Sequence, residues 1–141
     1  MNSCRVLVVD DNRDVCESLV MVLELLGHPG LAIDSGARAI DVLQQAHGTE
    51  DAFGLAFVDI GMPGMSGYDV VAAMRRLPAG VTLPIVALTG WVTDEDKERA
   101  KQAGFDLHLA KPIELPELQE LLRRVEAGSL GNGHARSEVP S

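Results

Sequence analysis

Aromatic residues are scarce. Three Phe, one Tyr and one Trp make up 4% of the 141 residues. Any core must therefore be aliphatic, built from Val, Leu, Ile, Ala and Met. Cysteine is nearly absent: Cys4 and Cys16 form no Cys-x-x-Cys motif, which points to free thiols and a reducing, cytoplasmic compartment. No apolar run approaches the roughly 18 residues needed to span a bilayer. Arg5-Val6-Leu7-Val8-Val9 is too short for the apolar segment of a signal peptide and ends in two aspartates. Basic residues are outnumbered, with 12 Lys and Arg against 21 Asp and Glu, for a net charge of −9. Such a surface repels phosphate backbones, so neither nucleic acid nor a membrane is an expected partner.

What is present is an ordinary globular composition, with 46% hydrophobic and 23% charged residues. That excludes wholesale disorder, and the length fits one domain. Apolar runs of strand type alternate with segments of helical spacing. Residues 5–9 read as a strand buried on both faces. Residues 13–26 follow as a helix, with Val15, Leu19, Val22 and Leu26 inward, joined by Cys16 and Leu23. Asp11 or Asn12 caps its start, and Gly27 stands where it ends. The alternation continues: strand 31–33, helix 37–46 with Ala37, Ile40 and Leu43 inward, strand 55–58 ending at Asp59, and helix 67–77. A strand over 83–88 ends at Thr89, a helix covers 94–103, a strand 106–109 stops before Lys111, and a last helix covers 115–126. In that last helix Leu115, Leu118, Leu122 and Val125 share one stripe.

Five strand–helix pairs predict an α/β fold: a doubly wound, five-stranded parallel sheet with helices on both faces. Residues 1–126 form that domain. The tail 127–141, neutral with only Arg136 and Glu138 charged, is expected to be disordered. The helix 94–103 stands apart. It offers only Ala100 and Ala103 as apolar anchors among charged residues, which makes it a candidate moving part.

Ligands of open parallel sheets bind beyond the carboxyl ends of the strands. At those ends stand Asp10 and Asp11, Asp59, Thr89 and Lys111. Any one of them alone reads as a turn or capping residue. Together they are three carboxylates, a hydroxyl and an ammonium facing one crevice. Clustered carboxylates repel unless a cation intervenes, and oxygen ligands of this kind suit Mg2+. One carboxylate can then act as a nucleophile toward phosphorus. Lys111 and the Thr89 hydroxyl can bind the charge that develops on the phosphoryl oxygens. His28, His47 and His134 show no metal spacing.

These residues stand in the stretches Val8-Val9-Asp10-Asp11-Asn12, Asp59-Ile-Gly-Met-Pro-Gly-Met-Ser-Gly67, Ala87-Leu-Thr89-Gly90 and Lys111-Pro112. In that order and spacing, over residues 4–126, the chain resembles the receiver domain of bacterial two-component response regulators. The stretch Ala103-Gly-Phe-Asp-Leu-His-Leu-Ala-Lys-Pro112 looks most like receivers of hybrid histidine kinases, so a stand-alone or an excised receiver is expected. The resemblance implies a flavodoxin-like sheet of strand order 2-1-3-4-5 and a cis Lys111–Pro112 bond. It implies Asp59 as phosphoacceptor and Thr89 and Lys111 as the phosphate-binding pair. It implies Mg2+ held by Asp11, Asp59 and the Gly61 carbonyl, with Asp10 acting mainly through water. It also implies switch roles for Thr89, Trp91 and His108, although His108 stands where the family usually has Tyr or Phe. The expected partners are a histidine kinase or histidine phosphotransfer protein as donor and a protein as downstream target. The competing expectation is a Mg2+-dependent phosphohydrolase with an Asp nucleophile. Such enzymes usually carry a second Asp two residues after the nucleophile, where this chain has Gly61.

Overall fold

Alternation of short β-branched runs with amphipathic segments leaves the chain few options, and the computed structural model, which describes residues 5–62, 64–90 and 93–127, has the expected one. The elements are β1 (Arg5–Val9), α1 (Arg13–Leu25), β2 (Gly30–Ile33), α2 (Gly36–Ala46), β3 (Phe53–Asp59), α3 (Gly67–Arg75), a 3-10 turn at Pro78–Gly80, β4 (Ile85–Thr89), α4 (Asp94–Ala103), β5 (Leu107–Ala110) and α5 (Leu115–Glu126). The five strands pair in the order β2-β1-β3-β4-β5, and every pair is parallel. Cys4, the tail beyond residue 127 with its expected disorder, and Trp91 lie outside the described residues.

Strand side chains alternate between two cores. Leu7, Val9, Ala56, Val58, Ile85 and Ala87 face α2, α3 and α4. Val6, Val8, Leu55, Phe57, Val86 and Leu88 face α1 and α5. Because both faces are covered, the central strands are apolar throughout rather than alternating.

Several boundaries and stripes differ from expectation, each for a local reason. α3 stops at Arg75 and not at residue 77. Leu77 precedes Pro78 and takes an extended conformation, ψ 145°, because a following proline disfavours the helical region. β4 starts at Ile85, since Pro84 has no N–H to give the ladder and offers only its carbonyl, to Ala56 N at 2.9 Å. In α2 the buried stripe is Gly36, Ala39, Leu43 and Ala46, while Ala37 points to solvent. In α5 Leu121 joins Leu118 and Leu122 in the core, and Leu115, at the first turn, is 48% exposed. Cys16, Leu19 and Leu23 carry the burial of α1, and Val15, Val22 and Leu26 are only half-buried. Asn12 caps α1, accepting from Val15 N at 3.2 Å.

One arginine ties the α3, β4 and α4 ends together. Arg75 Nη1 donates to the carbonyls of Gly80 at 2.7 Å and Leu83 at 2.6 Å. Its Nη2 donates to Gly104 O at 2.7 Å and to Asp106 Oδ2 at 2.9 Å. The same Asp106 oxygen accepts from Ile85 N at 2.8 Å, at the start of β4. Removing one partner of a buried pair strands the other charge. Arg75→Met is therefore expected to lower stability by about 3 kcal/mol, read as a shift of the urea midpoint.

Candidate functional site at the carboxyl edge of the sheet

The residues expected at strand ends do meet at one edge. Asp10 and Asp11 follow β1, Asp59 closes β3, Thr89 closes β4 and Lys111 follows β5. Register explains the convergence. Val9 lies beside Val58, Asp59 beside Leu88, and Thr89 beside Ala110. Adjacent parallel strands thus deliver their carboxyl ends to one level. One carboxylate oxygen from each of Asp10, Asp11 and Asp59 lies within 4.8 Å of the others. Asp10 is fully buried, Asp59 and Thr89 are buried, and Asp11 is exposed.

Lys111 reaches into this group from the edge strand. Its Nζ lies 2.8 Å from Asp10 Oδ2 and 3.3 Å from Asp59 Oδ1. Its backbone N–H donates to Thr89 O at 2.7 Å, which fixes where the side chain leaves the sheet. The Lys111–Pro112 bond is cis, in line with the resemblance. Asp10 Oδ1 accepts from Asn12 N at 2.9 Å. The buried Oδ2 has the Lys111 ammonium 2.8 Å away as its ion-pair partner.

The charges are unbalanced, three carboxylates against one ammonium. Burial raises the Asp59 pKa above the usual carboxylate value, the neighbouring Asp10 charge raises it further, and Lys111 and the Gly61 N–H counteract only in part. For Lys111, burial works against the charged form, but the closeness of Asp10 and Asp59 outweighs it and the pKa is raised. Three carboxylates whose oxygens converge this closely, one of them fully buried, are the donor set of a hard divalent cation. The residues present fit such an ion.

A close approach that the sequence reading left without a role also shapes the site. A Cβ at Gly67 would stand 2.4 Å from the Asp59 carbonyl oxygen. Glycine is thus what lets the first turn of α3, capped by Ser66 accepting from Asp69 N, press against the end of β3. The sequence signal was the Ser-Gly pair just before the helical spacing begins. At Gly61 and Gly90 a Cβ would meet nothing within 4 Å.

His108 lies on β5, half-buried, and Trp91 lies outside the described residues. His47 is exposed, whereas His28 is buried, its Nε2 3.1 Å from Glu126 Oε2 at the end of α5. Beside the site, α1 and the start of α5 frame an apolar groove of about 740 Å³. Val15, Leu19, Val22, Leu25 and Ile113 line it, and it reaches Lys111.

Residues 6–123 match the response regulator receiver domain family. The sensor histidine kinase GacS of Pseudomonas protegens is 34% identical over 131 residues, covering 91% of this chain and 14% of that protein. The transcriptional regulatory protein TctD of Salmonella typhimurium is 34% identical over 130 residues, covering 92% of this chain and 55% of its own length. The chain therefore spans about half of TctD and a small part of GacS. Among solved structures, the chemotaxis protein CheY4 of Vibrio cholerae is similar with a TM-score of 0.80 and 28% identity, over 87% of this chain and 98% of that one. The receiver domain of a Pseudomonas aeruginosa sensor histidine kinase, with a magnesium ion coordinated in its active site cleft, has a TM-score of 0.75 and 28% identity, over 89% of this chain and 98% of that one. Sequence, strand order and the acidic edge agree: the chain belongs to the response regulator receiver domain family of two-component signalling.

Proposed function

We propose that this domain is a phosphorylation switch in which Asp59 accepts a phosphoryl group from a phosphohistidine. The observation that carries this reading is the triad of buried Asp10 and Asp59 with half-buried Lys111, with Thr89 at the next strand end. A carboxylate oxygen of Asp59 attacks phosphorus, a P–O bond forms, and the P–N bond to the donor imidazole breaks. The imidazole carries away the electron pair and takes a proton. Lys111 offers its ammonium to the transferring oxygens, and the Thr89 hydroxyl donates to one of them. Asp10, Asp11, Asp59 and the Gly61 carbonyl would hold a divalent cation such as Mg2+, which when bound neutralises charge on the phosphoryl oxygens. The chain thus acts on itself, catalysing its own phosphorylation and slow hydrolysis. A general phosphohydrolase is the poorer reading, because Gly61 has no side chain with which to protonate a leaving group.

The donor, a histidine kinase or a histidine phosphotransfer protein, approaches over the groove between α1 and α5, which reaches Lys111. Met21 and Leu25 on the same helix are 62% and 81% exposed, apolar surface without a partner inside the domain. The downstream protein target reads the face built by α4, β5 and α5. A cytoplasmic setting accords with the free, buried Cys16, and no helix among the described residues is long and apolar enough to cross a membrane.

Incubation with acetyl phosphate and Mg2+ is expected to add one phosphoryl group, mapped to Asp59 by peptide mass, and Asp59→Asn is expected to lose it. An adduct that persists at wild-type level in Asp59→Asn overturns the assignment. Mg2+ is expected to raise the melting temperature of the wild type by mass action and to do so much less in Asp11→Asn. Without metal, Asp59→Asn is expected to melt a few degrees higher than wild type at neutral pH. The raised native pKa means that ionised Asp59 weakens the fold: its favourable contribution is complete below the unfolded carboxyl value and is lost as pH rises through the native one. The advantage of Asn should therefore fade as pH falls toward about 4. Finally, Leu25→Asp should slow transfer from the phosphohistidine donor at least tenfold, about 1.4 kcal/mol, while labelling by acetyl phosphate stays unchanged.

A further inference from the structure

The contact between α4 and the sheet is unlike the other helix contacts. β5 is an edge strand, and none of its four residues is fully buried. Leu107 and Leu109 pack on the α1 and α5 side. By the two-residue alternation of a strand, His108 and Ala110 face the other way, under α4. Their neighbours across β4 are Ala87 and Thr89. From above, α4 contributes buried Ala100 and half-buried Ala103. The floor of α4 is thus made of alanines, a threonine and one imidazole.

The helix is also held unevenly. At its carboxyl end Gly104, with φ 124°, presents its carbonyl to both Nε and Nη2 of Arg75, at 3.0 and 2.7 Å. In the middle, the Arg99 guanidinium stacks 4.2 Å from the Tyr68 ring centroid. The amino-terminal half, Asp94 to Glu98, has no buried residue, and the Thr93–Asp96 capping box ties the helix only to itself. The amino-terminal half can therefore leave the sheet while the carboxyl end stays gripped.

Burial lowers the His108 pKa below the usual histidine value, and the Lys97 charge on α4 lowers it further. Asp94 and Lys101 lie one turn to either side of Lys97 on the same side of the helix. β4, Ile-Val-Ala-Leu-Thr, brings no charged side chain. On and beside β5, Asp106 is paired with Arg75, and Lys111 with Asp10 and Asp59. α5 packs on the opposite face of the sheet. Among the described residues, the charge that acts on the ring is the positive one of Lys97.

We infer that His108 is a proton-sensitive contact beneath α4, whose protonation releases the amino-terminal half of that helix from the sheet. The docked conformation binds fewer protons than the released one, because the ring is half-buried beside a cation only when α4 is docked. Docking is thus fully favoured above the ordinary histidine range, about pH 6.5, and weakens as pH falls from there through the lowered native value. Thr89 shares this face, two residues beyond Ala87 and across from Ala110. A shift of α4 therefore alters the surface next to the hydroxyl proposed to bind phosphate. Only that consequence for output rests on the phosphorylation reading; the proton response does not.

Amide hydrogen exchange of the full chain, without phosphodonor or metal and corrected for the intrinsic rate, tests the inference at about pH 7.5 and 5.5. Peptides covering residues 94–99 should open about threefold more often, or more, at the lower pH, with peptides from β1 and β3 unchanged. His108→Phe should abolish the pH dependence, and Lys97→Met should weaken it. That arm also separates His108 from Asp59, whose carboxyl remains in both proteins. The ring resonance of His108 in the wild type should titrate below the ordinary histidine value and move up in Lys97→Met. Exchange in 94–99 that does not change with pH, or changes equally in His108→Phe, overturns the proposal. So does a His108 titration at or above the ordinary value. Loss of acetyl phosphate labelling would instead concern the phosphorylation reading alone.

Discussion

A single ammonium group meets two buried carboxylates at the carboxyl edge of the sheet, and most of the site's behaviour follows from that shortage of positive charge. Lys111 lies close to both Asp10 and Asp59. In a low-dielectric pocket such pairs interact more strongly than in water, but one cation cannot neutralise three anions. Burial, and with it the neighbouring negative charge, opposes full ionisation of Asp59, and that residual charge favours a divalent cation. A cation and a transferred phosphoryl group would each change the balance in a different direction. That is the physical basis for a site that changes state rather than one that only binds.

The backbone makes this arrangement rigid on one side and compliant on the other. The β1, β3 and β4 ends are buried on both faces, and Gly67 lets α3 press against the Asp59 backbone. Asp59, the proposed phosphoacceptor, is therefore held in a closely packed frame, where small displacements are costly. Lys111, by contrast, comes from the edge strand, whose residues are only half-buried and whose covering helix contributes a single fully buried alanine. Arg75 and Asp106 stop this looseness from spreading, since they pin the start of β4 and the end of α4 from below. Looseness confined to one flank is what allows a local charge change to become a change of surface.

Much of this was legible along the chain. The apolar runs that stop at Asp10, Asp59 and Thr89, and the run that stops before Lys111, put strands and strand ends where they are found. The same reading marked α4 as thinly anchored from its two alanines. Boundaries drifted where proline intervened, at Leu77 and Pro84, because helical spacing carries on through residues whose backbone cannot follow it. The inward stripe of α2 differs because Ala37 and Ala39 are the same residue and give no contrast in hydrophobicity, so packing decides between them, with Gly36 set closely against Val70 and Met65. Leu115 reads as part of the α5 stripe, yet as the first residue of the helix it is left exposed.

The sequence by itself determined the element order, the two-faced burial of the central strands and the identity of the polar residues at their ends, because these depend on local periodicity and on where an apolar run stops. It also carried the motif stretches that identify the family. Only the tertiary structure decided that Asp10 is fully buried while Asp11 is exposed, and that Lys111 lies close to both Asp10 and Asp59. It also decided that His28 meets Glu126 from nearly a hundred residues away in sequence and that His108, opposite Ala87 on β4, is half-buried, with its pKa lowered by that burial and by the Lys97 charge. Each of those facts depends on which strands neighbour one another and which helix covers which face. A one-dimensional pattern does not encode them, since residue spacing fixes the face a side chain takes but not the partner it meets across that face.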